Sequence, residues 1–95
     1  MTPQTEAETP ENRLRRLRLR AWRRGTKEMD LILGSWADAH LDDLPPDTLD
    51  GFEALMEEND QDLYVWITGQ TPAPAAHAAL LEVIGAHARD RYRPR

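Results

Sequence analysis

The chain has 95 residues, of which 40% are hydrophobic and 31% are charged, and it carries a formal net charge of −5. This size and balance predict one globular domain and argue against a disordered chain. The absence of cysteine excludes disulfides, thiolate metal sites and cysteine nucleophiles, and the short apolar runs give no candidate for a membrane-spanning helix.

The first eleven residues are polar and contain Pro3 and Pro10. They predict a flexible N-terminal arm over residues 1–11, followed by a single domain over residues 12–95. The arm carries three glutamates and no apolar stretch, which fits neither a secretory signal nor a mitochondrial presequence. We therefore expect a bacterial cytoplasmic protein, or a protein of the mitochondrial matrix if a presequence has been removed.

Five helices are predicted along the domain, joined by short connections. Apolar residues spaced by three and four predict the first helix over residues 12–24, and Gly25 ends it. The clearest amphipathic pattern predicts the second helix over residues 26–41. Three further helices are predicted over residues 46–58, 60–67 and 75–90, the last after a proline-containing linker at residues 70–74. The pattern indicates an all-α fold, a small irregular antiparallel bundle of about five helices.

The apolar stripes of these helices predict the core. Its expected members are Met29, Ile32, Leu33, Trp36, Phe52, Leu55, Leu63 and Ile67.

Charge is strongly segregated along the chain. Residues 13–27 hold eight basic residues and no acid, whereas residues 28–62 hold twelve acids and neither lysine nor arginine. Such a chain either pairs its two segments internally or presents faces of opposite sign. The basic first helix, with Trp22 as a stacking residue, leaves nucleic-acid binding open as an alternative, and a generic adaptor is another. The acidic net charge and the lack of a recognisable nucleic-acid motif argue against a nucleic-acid partner.

The sequence gives little support to an enzyme. His40, His77 and His87 have no cysteine partners and no ligand spacing, which indicates histidines at the core edge or in solvent and no metal site. Ser35 does not lie in the Gly-x-Ser-x-Gly motif of serine hydrolases, so the sequence does not indicate such an enzyme. The paired acids at helix ends are best explained as solvated residues, so we expect no catalytic residue and no stably bound cofactor.

The connection between the first two helices is the most distinctive feature. Arg24 offers a planar guanidinium suited to carboxylates, Gly25 allows close approach of another backbone, and Glu28 follows one helical turn later. Two interpretations stay open from the residues alone. Either the three form a binding site, or Gly25 ends a helix while Glu28 stabilises the next first turn and pairs with Arg24.

Residues 23–30, Arg-Arg-Gly-Thr-Lys-Glu-Met-Asp, resemble the signature of the succinate dehydrogenase assembly factor 2 family, known in bacteria as SdhE. The hallmark of that family is Arg-Gly-x-x-Glu, which Arg24, Gly25 and Glu28 match. A second block is also similar, with Phe-Glu-Ala-Leu-Met-Glu at residues 52–57 and Asp-x-Asp-Leu-Tyr-x-Trp at residues 60–66. The resemblance covers about residues 14–69. Pro45 and the helix after Pro74 depart from the family pattern.

The resemblance implies a function. Members bind the flavoprotein subunit of succinate dehydrogenase, in some bacteria also that of fumarate reductase, and promote its covalent flavinylation through a histidyl–FAD bond. It implies that the client forms this bond autocatalytically, so that the factor is not an enzyme and acts by positioning. We also expect the factor to be a monomer when free. It also implies partner contacts at Arg24, Gly25 and Glu28, with Arg23 and Asp30 as secondary contacts.

Overall fold

A computed structural model describes residues 8–92 of the chain. The α-helices within that range, numbered in chain order, are α1 (Pro10–Trp22), α2 (Lys27–His40), α3 (Pro46–Met56), α4 (Asp60–Ile67) and α5 (Ala75–Tyr92). A 3-10 turn, Leu41–Asp43, follows α2, and none of these 85 positions from 8 to 92 lies in a β-strand. The predicted all-α bundle of about five helices is confirmed. No helix in the same range is long and apolar enough to cross a bilayer.

The start of α1 corrects the predicted end of the N-terminal arm. The hydroxyl of Thr9 accepts the Asn12 backbone N–H at 3.1 Å, so the helix begins at Pro10, because a side-chain cap and a proline at the first position both favour helix initiation. Glu8 is also engaged, with its Oε2 2.7 Å from Arg16 Nε. Residues 1–7 of the predicted arm lie outside the described range.

The core forms where the apolar faces of all five helices meet. Trp36 and Phe52 lie at its centre, with stacked rings whose centroids are 5.5 Å apart. Six of the eight predicted core residues are buried. Ile32 and Ile67 are instead half-buried and pack against the core from its edge, because each sits at the margin of its helix's apolar stripe. Further buried residues are Leu17, Ala21, Ala37, Leu41, Met56, Leu81 and Ile84.

Helices α1 and α2 approach closely at Gly34. A Cβ atom at Gly34 would fall inside the indole of Trp22, so the glycine provides the space that this ring occupies. The ring nitrogen of Trp22 donates to Asp38 Oδ2 at 3.2 Å. Trp22 is therefore part of the α1–α2 packing and is not a free stacking residue.

Arginines of α1 pair with the acidic segment that follows them. Arg13 contacts Asp50 and Glu53, each at 2.8 Å, and these contacts tie α1 to α3. Burial alone would raise the pKa of the Glu53 carboxyl, but hydrogen bonds from Arg13 and Arg16 outweigh it and hold that pKa below its ordinary value. The other pairs are Arg16–Glu53, Arg18–Asp38, Arg18–Asp42 and Arg20–Glu57. The charge segregation is thus resolved mainly by internal pairing, which gives the nucleic-acid alternative no support.

Candidate functional site

The backbone between α1 and α2 is a tight turn over residues 23–26. Gly25 has a φ of 110°, a conformation that side chains disfavour and glycine accepts. Thr26 then begins α2, because its hydroxyl accepts the Met29 N–H at 3.2 Å. The backbone N–H of Arg24 donates to Asp30 Oδ1 at 2.6 Å. The turn is therefore fixed from both sides while Gly25 itself remains exposed.

The guanidinium of Arg24 points back into the protein. Its Nε donates to Asp60 Oδ1 at 2.7 Å, its Nη1 to the Met56 carbonyl at 2.8 Å and its Nη2 to the Glu58 carbonyl at 2.6 Å. The side chain is only 10% exposed. Carbonyls at the end of a helix lack intrahelical donors, so Arg24 satisfies the end of α3 and also holds the first turn of α4.

These contacts exclude the local pair with Glu28, which one of the two interpretations from the sequence contained. The carboxylate partner of Arg24 is Asp60, thirty-six positions along the chain. Glu28 is exposed, and no cation of residues 8–92 forms an ion pair with it. Its carboxylate stands in the first turn of α2, where the helix dipole favours negative charge.

A groove of about 430 Å³ runs beside Glu28, between the first turn of α2 and α4. Met29, Tyr64 and Val65 line it with apolar atoms, and Asp60 and Glu28 bring carboxylates to it. Tyr64 is 36% exposed, which is high for a large aromatic side chain. The groove can accept an apolar side chain, and the unpaired acid next to it favours a neighbouring cation.

The structure brings all five predicted site residues to one corner but gives them different environments. Arg23, Gly25 and Glu28 are exposed. Arg24 and Asp30 are half-buried and engaged in hydrogen bonds with the protein itself. Sequence reasoning missed Asp60 and Tyr64 as neighbours of the turn. Both lie in the second block that resembles the family, yet nothing in the sequence links that block to residue 24.

The histidines are not part of the turn, and His77 approaches it through Glu58. His77 is 8% exposed, with its Nε2 3.0 Å from Glu58 Oε2, and the exposed His40 lies edge-on to His87 at a centroid distance of 5.6 Å. Burial, His40 and Arg91 together lower the pKa of His87, against the opposing effect of Asp90. Within residues 8–92 no three His, Cys, Asp or Glu side chains are grouped so as to hold a metal ion.

Comparison with known proteins gives one consistent result. The family model described as "Flavinator of succinate dehydrogenase" matches residues 15–88. The chain is 36% identical over 83 residues to the protein of Mycosarcoma maydis named succinate dehydrogenase assembly factor 2, mitochondrial, covering 87% of this chain and 35% of that protein. It is 40% identical over 70 residues to the protein of that name in Meyerozyma guilliermondii, covering 70% and 52%.

A bacterial relative matches over most of its length. The chain is 38% identical over 74 residues to the FAD assembly factor SdhE of Photobacterium profundum, covering 77% of this chain and 84% of that protein. The chain thus spans between about a third and a half of the two fungal relatives and most of the bacterial one.

Proposed function

The chain belongs to the family of succinate dehydrogenase flavinators, and from that membership we propose that it binds the flavoprotein subunit of succinate dehydrogenase and promotes covalent attachment of FAD to it. The observation that carries the proposal is the family match over residues 15–88, which includes the whole α1–α2 junction. Fumarate reductase, a related flavoprotein, falls within the same proposal as a second client.

The factor acts as an assembly factor and supplies no reacting group. The bond would join a histidine nitrogen of the client to the 8α carbon of FAD. The histidine N–H and the methyl C–H would each lose a proton, and the flavin ring would take up both protons and the electron pair of the broken C–H bond. Both reacting groups would therefore lie in the client and its bound FAD. Binding of the factor favours the client conformation in which the two are in contact, which accelerates the step by proximity. The factor itself holds no FAD when free, and it is then a monomer. Relatives named for mitochondria and relatives from bacteria support a bacterial cytoplasmic or mitochondrial matrix location.

We propose different roles for the residues of the junction. Gly25 and Glu28 are exposed and form the contact surface, together with Arg23 and the groove lined by Tyr64. Gly25 lets the client backbone approach, and the Glu28 carboxylate takes a cationic or N–H donor of the client. Arg24 and Asp30 hold the turn in its shape through the contacts described above. The predicted role of Arg24 in direct contact therefore becomes a positioning role in this proposal.

Glu28→Ala tests the contact surface without disturbing the fold. Glu28 is exposed, so its loss should change the free energy of unfolding by at most about 1 kcal/mol, while covalent flavinylation of the client is strongly reduced. The readout is in-gel flavin fluorescence of the denatured flavoprotein subunit, which survives only when the bond has formed. Glu82→Ala, at another exposed acid, is the matched control and should leave flavinylation normal.

A pair of glycine variants separates steric block from backbone strain. Gly25 and Gly69 both have positive φ, 110° and 81°, and both are exposed. Arginine at either position should therefore cost similar stability, but only Gly25→Arg should abolish flavinylation. Normal flavinylation with Glu28→Ala and Gly25→Arg, both folded, would remove the junction from the contact surface.

A further inference from the structure

The outward face of α1 carries an exposed leucine between two arginines. Leu19 is 46% exposed, whereas Leu17 on the inward face is fully buried. Arg15 and Arg23 stand four positions before and after Leu19, and both are exposed. Positions separated by four share one side of a helix, which places Arg15 beside Leu19. Arg23 follows the last residue of α1 and lines one groove together with both side chains, so the three form a continuous strip. This strip is not required for the packing of α1.

Grooves lie on both sides of Leu19. The larger, about 810 Å³, runs between α1 and the end of α3 and is lined by Arg15, Leu19 and Arg23 together with Met56. The smaller, about 320 Å³, is lined by Leu19 and Arg15 on the opposite side, with Leu14. An apolar ridge between two grooves is a shape that a partner can enclose, which an isolated surface leucine is not.

The uncompensated charge of the larger groove is positive. Glu57 forms an ion pair with Arg20, and the Glu58 carboxylate lies in hydrogen-bond contact with the His77 ring at 3.0 Å. The arginines of the groove that pair with no acid of residues 8–92, Arg15 and Arg23, therefore outnumber its remaining carboxylate. Among the described residues, the Arg15 guanidinium donates one side-chain hydrogen bond, to Asn12 Oδ1 at 3.1 Å. Arg15 and Arg23, which pair with no acid of the described range 8–92, flank an exposed leucine. The surface therefore suits a partner with an apolar side chain between carboxylates.

We infer that the Leu19 ridge, defined as Arg15, Leu19 and Arg23 with the larger groove, is a second docking surface of this chain. Its occupant is a segment of the client flavoprotein that presents an apolar side chain flanked by carboxylates. Charge complementarity carries this assignment. The groove is also continuous with the junction, since Arg23 and Arg24 line both features. One client can therefore cover the junction and the ridge together.

This inference rests on the proposed function, and it gives the client interface two parts of opposite charge. In the groove beside Tyr64 the exposed charge is the Glu28 carboxylate, whereas along the ridge it is arginine. A client segment bound there must match an acid at one end and bases at the other. Such a pattern fixes the orientation of docking and disfavours a reversed register.

The test is the affinity of the full chain for the apo-flavoprotein subunit, measured by calorimetry. Arg15→Glu, which leaves the junction residues unchanged, should raise the dissociation constant several-fold or more at low salt, and binding should lose part of its salt dependence. Arg89→Glu makes the same change in net charge on α5 and should leave the affinity within about twofold. Arg15 is exposed and pairs with no carboxylate of residues 8–92, so the fold should persist.

A neutral substitution provides the second arm. Leu19→Ser should weaken binding several-fold, whereas Val83→Ser, at an apolar residue that is 53% exposed on α5, should not. If the wild-type chain binds the flavoprotein and all four variants bind equally well, the ridge is not a docking surface while the proposed function stands. If the wild-type chain fails to bind the flavoprotein, the ridge assignment and the proposed function are both wrong. The assignment would also be overturned if the arginine variant bound the flavoprotein normally and lost binding only to duplex DNA or to anionic lipid vesicles.

Discussion

Single residues at the α1–α2 junction fall into two groups that the sequence does not distinguish. Arg24 and Glu28 belong to the same short motif, yet Arg24 makes three hydrogen bonds to residues 56–60 while Glu28 stays exposed. The first residue shapes the site and the second is available to a partner. Substitution of Arg24 should therefore reduce stability, whereas substitution of Glu28 should reduce partner binding.

Arg24→Ala should destabilise the fold by about 2–4 kcal/mol, because it leaves Asp60 and two helix-end carbonyls without their donors. Arg24→Lys should recover little of this loss, since an ammonium cannot reproduce the planar fork. Urea unfolding followed by circular dichroism measures the effect, with Glu28→Ala as the control. An Arg24→Ala protein as stable as the control would contradict the positioning role.

At the level of helices, capping side chains set where three helices begin, and Gly34 sets how closely α1 and α2 pack. Caps at Thr9, Thr26 and Asn59 begin α1, α2 and α4, and each lies within three residues of the start predicted from the sequence. The close approach of α1 and α2 at Gly34 was not predictable. It depends on Trp22 folding over that position, which is a tertiary contact.

Two helical glycines should respond oppositely to alanine. Gly34→Ala should destabilise the protein by about 1–3 kcal/mol, because the Trp22 ring must move from its place. Gly51 lies within α3 with nothing within 4 Å of a Cβ, so Gly51→Ala should stabilise it by about 0.5–1 kcal/mol through helix propensity. Thermal unfolding of the two variants tests both signs. Equal melting temperatures would show that Trp22 is not held as described.

The packing of α5 on α2 should be sensitive to pH through His87. The pKa of His87 is lowered from 6.5 by burial and by His40 and Arg91, so the folded state takes up its proton less readily than the unfolded state. Stability from this residue is complete above pH 6.5 and decreases as the pH falls from 6.5 towards the lowered pKa. The melting temperature of His87→Phe should show a smaller decrease over that window. A parallel decrease in both proteins would assign the effect elsewhere.

For the molecule as a whole, a small core carries most of the stability. Phe52 is fully buried against Trp36, and Phe52→Ala should cost about 3–5 kcal/mol. That is a large part of the roughly 5–15 kcal/mol typical of a domain. Val83→Ala, at an exposed position, should change stability by less than about 0.5 kcal/mol. Chemical unfolding of the pair gives the comparison, and similar midpoints would place Phe52 outside the core.

Periodicity in the sequence predicted the helices and most of the core, because each apolar stripe is a local pattern. It overestimated the burial of Ile32 and Ile67, which pack against the core from its edge. Charge segregation left two outcomes open, and only the packed structure shows Arg13 and Arg20 reaching acids 37 to 40 positions away. The residues of the candidate site could be named from the sequence, whereas the partner of Arg24 could not.

The contact between Arg24 and residues 56–60 has a practical consequence for anyone who wants to imitate or block this protein. A synthetic peptide copying residues 10–40 would contain every letter of the Arg-Gly-x-x-Glu motif. It would lack the carbonyls and the carboxylate that hold the guanidinium inward, so Arg24 would swing freely in water. Such a peptide should compete poorly with the folded chain, and a useful mimic must include α3 and the start of α4.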